Sequence, residues 1–248
     1  MSPDGKARPR LLQAALNGGR RKADHPAVPT TAPEVADAAA QCVQAGARAI
    51  HVHVRDARGL ESVAPDDVAR CVAALRAAIP GTPVGVSTGA WIMPEPGRRH
   101  HTVSAWTVQP DYASVNFHES GAEALATLLL SRGTGIEVGL PEAAAAERLV
   151  RSRLAPRCLR VLIEPPAQDL DAALRTVEEI EAVLESGGVA LPRLLHGLDH
   201  TAWPLIGTAA ARGYDTRIGF EDTLTLPDGS PAPTNAALVT AARHTFDW

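Results

Sequence analysis

The chain has 248 residues, of which 45% are hydrophobic and 21% charged, and this ordinary globular composition excludes a disordered tail, a collagen-like rod and a disulfide-stapled miniprotein. Its 28 acidic residues outnumber its 24 basic residues and give a net charge of -4, so no nucleic-acid partner is expected, because phosphate binding needs a basic excess. No apolar run approaches the ~20 residues of a membrane span, so no membrane partner is expected either.

The cysteine pattern and the N-terminal segment both bear on the compartment. Cys42, Cys71 and Cys158 are odd in number and lack CxxC spacing, which argues against a disulfide framework and a zinc knuckle. The apolar stretch LLQAAL near the start is shorter than the roughly 7 to 15 residues of a signal-peptide core. We therefore expect a cytoplasmic protein.

Short apolar runs, often β-branched, alternate along the chain with longer segments of helical spacing. The predicted strands are Leu11–Leu16, Ala49–Val54, Pro83–Ser87, Tyr112–Asn116, Gly135–Gly139, Cys158–Ile163, Arg193–His196 and Thr216–Phe220. The predicted helices are Pro33–Ala45, Pro65–Ala78, Arg98–Thr107, Glu123–Ser131, Glu142–Ser152, Asp171–Ser186, Thr201–Ala211 and Asn235–His244.

The ends of the first helix are marked by particular residues. Thr31 and Glu34 have the spacing of a capping box, Pro33 falls in the first turn, and Gly46 follows the last periodic residue. These signals predict a helix that begins after Thr31 and ends before Gly46.

Eight strand–helix pairs in about 250 residues favour an α/β fold of the closed (β/α)8 TIM-barrel type over an open doubly wound sheet of five or six strands. The first strand is followed by Asn17-Gly18-Gly19-Arg20, a tight turn without the GxGxxG pattern of a dinucleotide site. No long linker interrupts the pattern, so residues 1–248 are predicted to form a single barrel domain.

Active sites of TIM barrels lie at the carboxyl ends of the strands, and the second predicted strand ends in HVHV. His51 and His53 are two residues apart, so their imidazoles point to the same face of the strand. Two histidines are fewer than the three protein ligands of a catalytic zinc site. The alternative is that both are core histidines bound to backbone carbonyls.

A third ligand is offered by the eighth predicted strand, which ends in RIGFED. Glu221 and Asp222 stand where the strand gives way to a loop, and closure of the barrel leaves only one strand between this end and the two histidines. The pattern predicts a His51–His53–Glu221 metal site. Arg217 precedes Glu221 by four residues, so on a regular strand both side chains face the inside of the barrel. Arg217 either has a functional role or forms an internal ion pair with an acidic residue.

Polar residues also stand at most other predicted strand ends. They form an expected ring around the barrel mouth, although each alone could be a cap or turn residue. Its members are Asn17, Ser87, Thr88, Ser114, Asn116, Glu137, Glu164 and His196. Of these, Asn17, Ser114, Asn116 and Glu137 are predicted to bind substrate.

Several segments together resemble the family of β-keto acid cleavage enzymes, which includes the 3-keto-5-aminohexanoate cleavage enzyme. The resemblance covers nearly the whole chain and lies in ALNGGR, HPAVPTT, AGARAIHVHVRDARG, GVSTGAW and RIGFEDTLTLPDGSPAPTNAALV. It implies a zinc-dependent barrel that condenses a β-keto acid with acetyl-CoA and yields acetoacetate and an acyl-CoA. It also implies a homotetramer or another homo-oligomer.

The resemblance assigns roles to individual residues. It implies zinc ligands at His51, His53 and Glu221, an acid–base role for Asp222, and Arg217 as the partner of Asp222. It further implies that Ser87 helps to hold the substrate carboxylate and that Ser114 occupies the position of a threonine that does the same in the family. Glu137 would correspond to a buried glutamate of the fifth strand.

One position departs from members of the family that act on amino-bearing substrates. Where those members carry a glutamate after the first strand, this chain has Arg20, which inverts the charge that faces the distal end of the substrate. A β-keto acid with a neutral or anionic tail is therefore expected. The alternatives are that Arg20 is a solvated loop residue or, with Arg21 and Lys22, contacts CoA phosphates.

Two other functions stay open at the level of sequence. An amidohydrolase-like hydrolase also uses HxH in a barrel, but its motif lies on the first strand, with further histidines on the fifth and sixth strands. Here HxH lies on the second strand, and GIEVG and CLRVLIE contain no histidine. The other alternative is a non-catalytic barrel that binds carboxylates.

Overall fold

In a computed structural model, which describes residues 10–246, eight short strands form the wall of a closed barrel. All neighbouring strands pair in parallel, and the first strand pairs with both the second and the eighth, so the ring has no free edge. The strands are β1 (Leu12–Ala15), β2 (Ala49–Val52), β3 (Val84–Ser87), β4 (Tyr112–Asn116), β5 (Gly135–Leu140), β6 (Arg160–Ile163), β7 (Arg193–Leu195) and β8 (Asp215–Ile218).

Each strand is followed by one α-helix, and the helices surround the strands. They are α1 (Ala32–Ala45), α2 (Pro65–Ala78), α3 (Pro96–Ser104), α4 (Ala122–Ser131), α5 (Ala143–Ser152), α6 (Leu170–Ser186), α7 (Ala202–Arg212) and α8 (Asn235–Phe246). This order confirms the (β/α)8 TIM barrel expected from the sequence.

The strands are buried on both faces, which explains their short apolar runs. In β2, Ile50 and Val52 alternate with Ala49 and His51, and all four are buried. Alternation turns one set towards the helices and the other towards the barrel axis. The apolar set packs with the buried faces of the helices in one continuous core.

The interior near the amino ends of the strands is filled by a polar cluster, which we call the barrel floor: Gln13, Tyr112, Glu137 and Arg160. Glu137 Oε2 accepts hydrogen bonds from Gln13 Nε2 at 3.0 Å and Arg160 Nε at 2.5 Å. The Tyr112 hydroxyl donates to the carbonyl of Ile50 and accepts from Gln13. These bonds offset much of the cost of burying a charged pair inside the barrel.

Two strands, β2 and β8, end two residues earlier than the sequence predicts, and both ends lie at the barrel mouth. β2 stops at Val52 because the amide of His53 donates to the side-chain oxygen of Asn17, at 2.9 Å, instead of joining a backbone ladder. β8 stops at Ile218 because the next residues form a turn, in which the amides of Asp222 and Thr223 both donate to the carbonyl of Gly219.

Helix α3 begins two residues before its predicted start and ends three residues before its predicted end. The Glu95 side chain accepts hydrogen bonds from the amides of Gly97 and Arg98, with Pro96 at the first helical position. Glutamate is not among the preferred N-cap residues, so the local signal for this start was Pro96 at the first helical position.

The capping signals predicted for α1 are present, and the helix ends at Ala45 as predicted but begins one residue early, at Ala32. The Thr31 side chain accepts from the amide of Glu34, the Glu34 carboxylate accepts from the amide of Thr31, and Gly46 ends the helix with a left-handed φ of 113°. Within residues 10–246, none of the helices combines the length and apolar character that crossing a membrane requires.

Candidate active site

His51 and His53 lie at the carboxyl end of β2 and face the barrel axis, as the sequence predicts. His51 is the third residue of the strand, and its side chain is 1% exposed. His53 follows the strand and is held through its backbone, because Asn17 accepts from its amide and donates to its carbonyl at 3.0 Å. The two ring centroids lie 5.3 Å apart.

Glu221 reaches the histidines because the turn after β8 packs closely on β1. A side chain at Gly219 would collide with the carbonyl oxygen of Ala15, only 1.9 Å from where its Cβ would stand. The amide of Glu221 donates to the same carbonyl at 3.2 Å. Gly18, with a φ of +51°, packs against the side chain of Glu221 from the other side.

The three side chains form a compact cluster whose possible ligand atoms all lie within 4.8 Å of one another. Glu221 Oε2 is 3.6 Å from His51 Nε2, and Glu221 Oε1 is 3.4 Å from His53 Nε2. Among the described residues, His51 Nδ1 and Glu221 Oε2 are buried and have no hydrogen-bond partner. Two imidazoles and a carboxylate with uncommitted atoms fit the donor set of a catalytic zinc ion.

Burial and charge act differently on the three groups. Burial lowers the pKa of His51 to about 4 and keeps its imidazole neutral near pH 7. Burial also opposes protonation of His53, but Glu221 and Glu61 outweigh it and raise the pKa of His53 to about 9. Burial would raise the pKa of Glu221, yet Arg217 and the two histidines hold it well below its usual range. Glu221 is therefore an anion.

Arg217 joins Glu221 to Asp222. Its Nη2 lies 2.7 Å from Glu221 Oε1 and 2.9 Å from Asp222 Oδ1, and its Nε donates to the same Asp222 oxygen at 3.1 Å. Asp222 is fully buried, and its other oxygen, Oδ2, has no hydrogen-bond partner in the described part of the chain. Arg217 thus holds one oxygen of Asp222 and leaves the second available for a reacting proton.

His196, after β7, contacts the same oxygen of Asp222 that Arg217 binds, and sequence reasoning assigned it no role beyond the polar ring. Its Nδ1 is 3.2 Å from Asp222 Oδ1, and its Nε2 is 3.5 Å from Glu164 Oε2. Burial and Arg217 oppose protonation of His196, but Asp222 and Glu164 outweigh them and raise its pKa. The even spacing of His196 from Leu194 on the strand was the signal for an inward position.

The opposite side of the mouth carries the predicted carboxylate-binding residues. Ser87 and Ser114 are register partners on β3 and β4, and both are buried. Asn116, at the end of β4, donates through Nδ2 to Glu119 at 3.0 Å. The structure therefore brings Ser87, Ser114 and Asn116 to one wall of the barrel.

Three predicted substrate contacts have other partners in the structure. Asn17 is fully buried, and its amide is committed to the backbone of His53 and Pro29, so it positions a histidine. Glu137 is fully buried in the barrel floor, three residues before the end of β5 at Leu140. Arg20 is at the rim, where its guanidinium pairs with Asp199 at 2.5 Å.

Sequence reasoning missed two side chains that touch His53. Glu61 Oε1 lies 2.5 Å from His53 Nδ1 and accepts a hydrogen bond from the indole of Trp91 at 3.0 Å. The Trp91 ring stacks on the His53 ring with centroids 5.8 Å apart. The available signal was the turn RDARG, which reverses the chain and returns residue 61 to the strand end.

A (β/α)8 barrel with a cluster of buried histidines and carboxylates at the carboxyl ends of its strands has the architecture of a barrel enzyme. A sequence model of the family described as "beta-keto acid cleavage enzyme" matches residues 9–185 and 172–247. The chain therefore belongs to the β-keto acid cleavage enzyme family, which confirms the resemblance and the expectation of an enzyme.

Two curated relatives match most of this chain. A 3-oxoadipate:acetyl-CoA acetyltransferase from Cupriavidus necator is 28% identical over 258 residues, covering 93% of this chain and 86% of the relative. A 3-keto-5-aminohexanoate cleavage enzyme from Fusobacterium nucleatum is 24% identical over 251 residues, covering 92% of this chain and 88% of the relative.

A solved structure described as the binary complex of ObcA with oxaloacetate has the same fold. It superposes with a TM-score of 0.69 at 17% identity, over 89% of this chain. The chain spans 63% of the length of that protein, so the likeness concerns the barrel alone.

Proposed function

We propose that this protein is a zinc-dependent enzyme that condenses a β-keto acid with acetyl-CoA and releases acetoacetate and the CoA ester of the remaining acyl group. The observation that carries the proposal is the His51–His53–Glu221 cluster in a barrel of this family. The acetyl-CoA named in the Cupriavidus necator relative supports the co-substrate.

His51, His53 and Glu221 would hold the zinc ion, and the ion would supply a Lewis acid that polarises the keto group of the substrate. Ser87, Ser114 and Asn116 lie on the wall where the substrate carboxylate would bind. The uncharged hydroxyl and amide groups of these residues can donate hydrogen bonds to that carboxylate.

Asp222 would act as the general base. Its Oδ2 takes a proton from the carbon between the two carbonyls, while Arg217 binds Oδ1 and stabilises the ionised form. The resulting carbanion attacks the acetyl carbon of acetyl-CoA, and the CoA thiolate leaves. The thiolate then adds to the keto carbon of the original substrate, and the bond between that carbon and the former methylene carbon breaks. The electron pair stays on the former methylene carbon, which takes the proton back from Asp222 and gives acetoacetate, while the remaining acyl group leaves as its CoA ester.

This sequence of steps needs no nucleophilic side chain. Cys42, Cys71 and Cys158 are all buried, and burial raises the pKa of each thiol, to about 12 for Cys42 and Cys71 and to about 11 for Cys158. Neutral thiols are poor nucleophiles. The nucleophile that attacks the keto carbon is the CoA thiolate itself.

Arg20 favours a substrate whose tail is neutral or anionic. The 3-oxoadipate named in the Cupriavidus necator relative carries a carboxylate at its distal end, which supports this proposal. Asp199 already pairs with Arg20, so an anionic tail would share or displace that partner. An amine-bearing tail would meet a like charge at the rim.

The test is a panel of β-keto acids with acetyl-CoA, and CoA-ester products are identified by mass. Product acyl-CoA matched to each substrate tail, together with about one zinc per chain, supports the proposal. A hydrolase of the amidohydrolase kind or a carboxylate-binding barrel would consume no acetyl-CoA. That result, or a His51→Ala protein with full zinc content and activity, would overturn it.

A cytoplasmic location and a homotetramer or other homo-oligomer complete the proposal. The odd number of cysteines and the lack of CxxC spacing support a reducing compartment. Sedimentation of the purified protein would test the oligomer, and a monomer at all concentrations would contradict it.

A further inference from the structure

The loop that follows β2 folds back on itself and brings an acidic residue behind a candidate metal ligand. The amide of Asp56 donates to the carbonyl of Leu60, and the amide of Ser62 donates to the carbonyl of Val54. Arg55 and Glu61 thereby face each other across an antiparallel bridge. The carboxylate of Glu61, with a side chain 17% exposed, reaches the ring of His53.

The two nitrogens of the His53 ring have different partners. Nε2 faces Glu221 and the centre of the cluster, at 3.4 Å from Glu221 Oε1, whereas Nδ1 lies 2.5 Å from Glu61 Oε1 on the outer side. A carboxylate at Nδ1 holds the proton there and leaves the lone pair of Nε2 for an ion. His51 differs, because its Nδ1 has no hydrogen-bond partner among the described residues.

Glu61 is itself held from two sides. The indole of Trp91, on the loop after β3, donates to Glu61 Oε1 at 3.0 Å, and Arg55 Nη1 lies 4.0 Å from Glu61 Oε2. Arg55 is anchored by hydrogen bonds to the carbonyls of Gly18 and Arg20. The carboxylate therefore has a defined position relative to the His53 ring.

We propose that Glu61 is a positioning residue for His53: it binds the proton on Nδ1, sets the ring orientation, and so raises the affinity of the cluster for zinc. The inference rests on the metal site of the proposed function. It adds to that site a residue outside the three ligands, and it makes His53, with its carboxylate partner, the stronger of the two histidine ligands.

The experiment measures Zn²⁺ affinity by competition with a chromophoric chelator, at one fixed pH, for the wild type, Glu61→Ala, Glu61→Gln and Glu147→Ala. Loss of an outer partner of a metal-binding histidine weakens metal affinity by about 10- to 100-fold, and we expect this loss in Glu61→Ala. Glu61→Gln keeps one acceptor oxygen without the charge, so an intermediate loss is expected.

Glu147→Ala is the matched control. It is the same change at an exposed position of α5, where Glu147 pairs with Arg151 at 3.2 Å. Zinc affinity should stay within about twofold of the wild type, because an exposed ion pair has little effect elsewhere. A second readout is the proton on His53 Nδ1 in the zinc-loaded protein, whose NMR signal should lie far downfield and move upfield in both Glu61 variants.

Zinc affinity of Glu61→Ala within about twofold of the wild type would overturn the inference while leaving the proposed function intact. If Glu61→Ala does not fold, the test rests on Glu61→Gln. In that variant, an unchanged zinc affinity together with an unchanged NMR signal of the His53 Nδ1 proton would also overturn the inference. A wild type that binds no zinc would overturn the metal site of the proposed function, and this inference with it.

Discussion

At the scale of single residues, the barrel mouth depends on side chains that have one committed atom and one available atom. Asp222 Oδ1 accepts hydrogen bonds from Arg217, whereas Asp222 Oδ2 has no hydrogen-bond partner among the described residues. In the same way, His53 Nδ1 is hydrogen-bonded to Glu61, whereas His53 Nε2 faces the centre of the cluster. Partners on one side fix the orientation, so the other side can meet a metal or a proton in a defined geometry.

The role of Asp222 can be tested apart from metal binding. In Asp222→Asn the side chain keeps its size but loses the base, so kcat should fall by about 10²- to 10⁴-fold, the usual contribution of a general base. Zinc content, measured by elemental analysis, should be unchanged because Asp222 is outside the ligand cluster. An unaltered rate of acyl-CoA formation would remove Asp222 from this role.

The charge of Arg20 should set the preference for the substrate tail. In Arg20→Glu, two acidic groups would face each other at the rim, since Asp199 would lose its partner. We expect kcat/KM for an anionic-tailed β-keto acid to fall by about tenfold relative to a neutral one, which corresponds to ~1.4 kcal/mol. If the ratio does not change, Arg20 is a solvated loop residue.

At the scale of elements, a buried ion pair connects helix α3 to the loop that follows β4. Arg99 on α3 lies 3.0 Å from Glu119, in the loop after β4, and both side chains are almost fully buried. Glu119 also accepts from the amide of Ala90 and the side chain of Asn116. The Glu119 carboxylate thus links helix α3, the loop that contains Trp91 and the end of β4.

The capping box of α1 gives a prediction on pH. The hydrogen bond from Lys22, with those from Thr30 and Thr31, lowers the pKa of Glu34 from 4.5 to about 2. A carboxyl whose pKa is lower in the folded state stabilises the fold above its unfolded pKa and loses that contribution as the pH falls through the folded value. The stabilisation by Glu34 should therefore decline between pH 4.5 and about 2.

Urea unfolding across that interval, compared between the wild type and Glu34→Gln, measures the effect. The wild type should have a higher free energy of unfolding than Glu34→Gln near pH 4.5, and this difference should shrink towards pH 2, because a protonated Glu34 resembles the neutral amide of glutamine. Glu147→Gln, on the exposed face of α5, is the control. A difference that stays constant with pH would show that the carboxylate charge does not stabilise the helix start.

At the scale of the whole molecule, the hydrophobic core surrounds the barrel independently of the metal site. Removal of zinc by a chelator should therefore leave the barrel folded but less stable. Zinc at about 100 times its Kd should add ~2.7 kcal/mol, and for a chain of this length that corresponds to a rise in Tm of about 5 to 10 °C. A Tm that does not respond to zinc would contradict a specific metal site.

Much of the fold could be predicted from local pattern. Eight buried runs and eight helical segments are a property of residue order, and β4 and α2 have the predicted bounds. Besides the displaced bounds of α3, two strands end early near the site, at Val52 and Ile218, where a side chain or a turn replaces the ladder. At Val52 the replacement depends on Asn17, which is distant in sequence and which periodicity does not register. At Ile218 it is a local turn at Gly219 that the strand period alone did not predict.

The sequence by itself determined the barrel, the inward direction of His51 and His53, and the arrival of Glu221 at the same mouth, because strand alternation and ring closure follow from local order. Tertiary structure alone decided that Asn17 and Glu61 contact His53. Both side chains act by a hydrogen bond to His53 across a loop, and such a bond depends on angstrom-scale distances that only the packed chain defines.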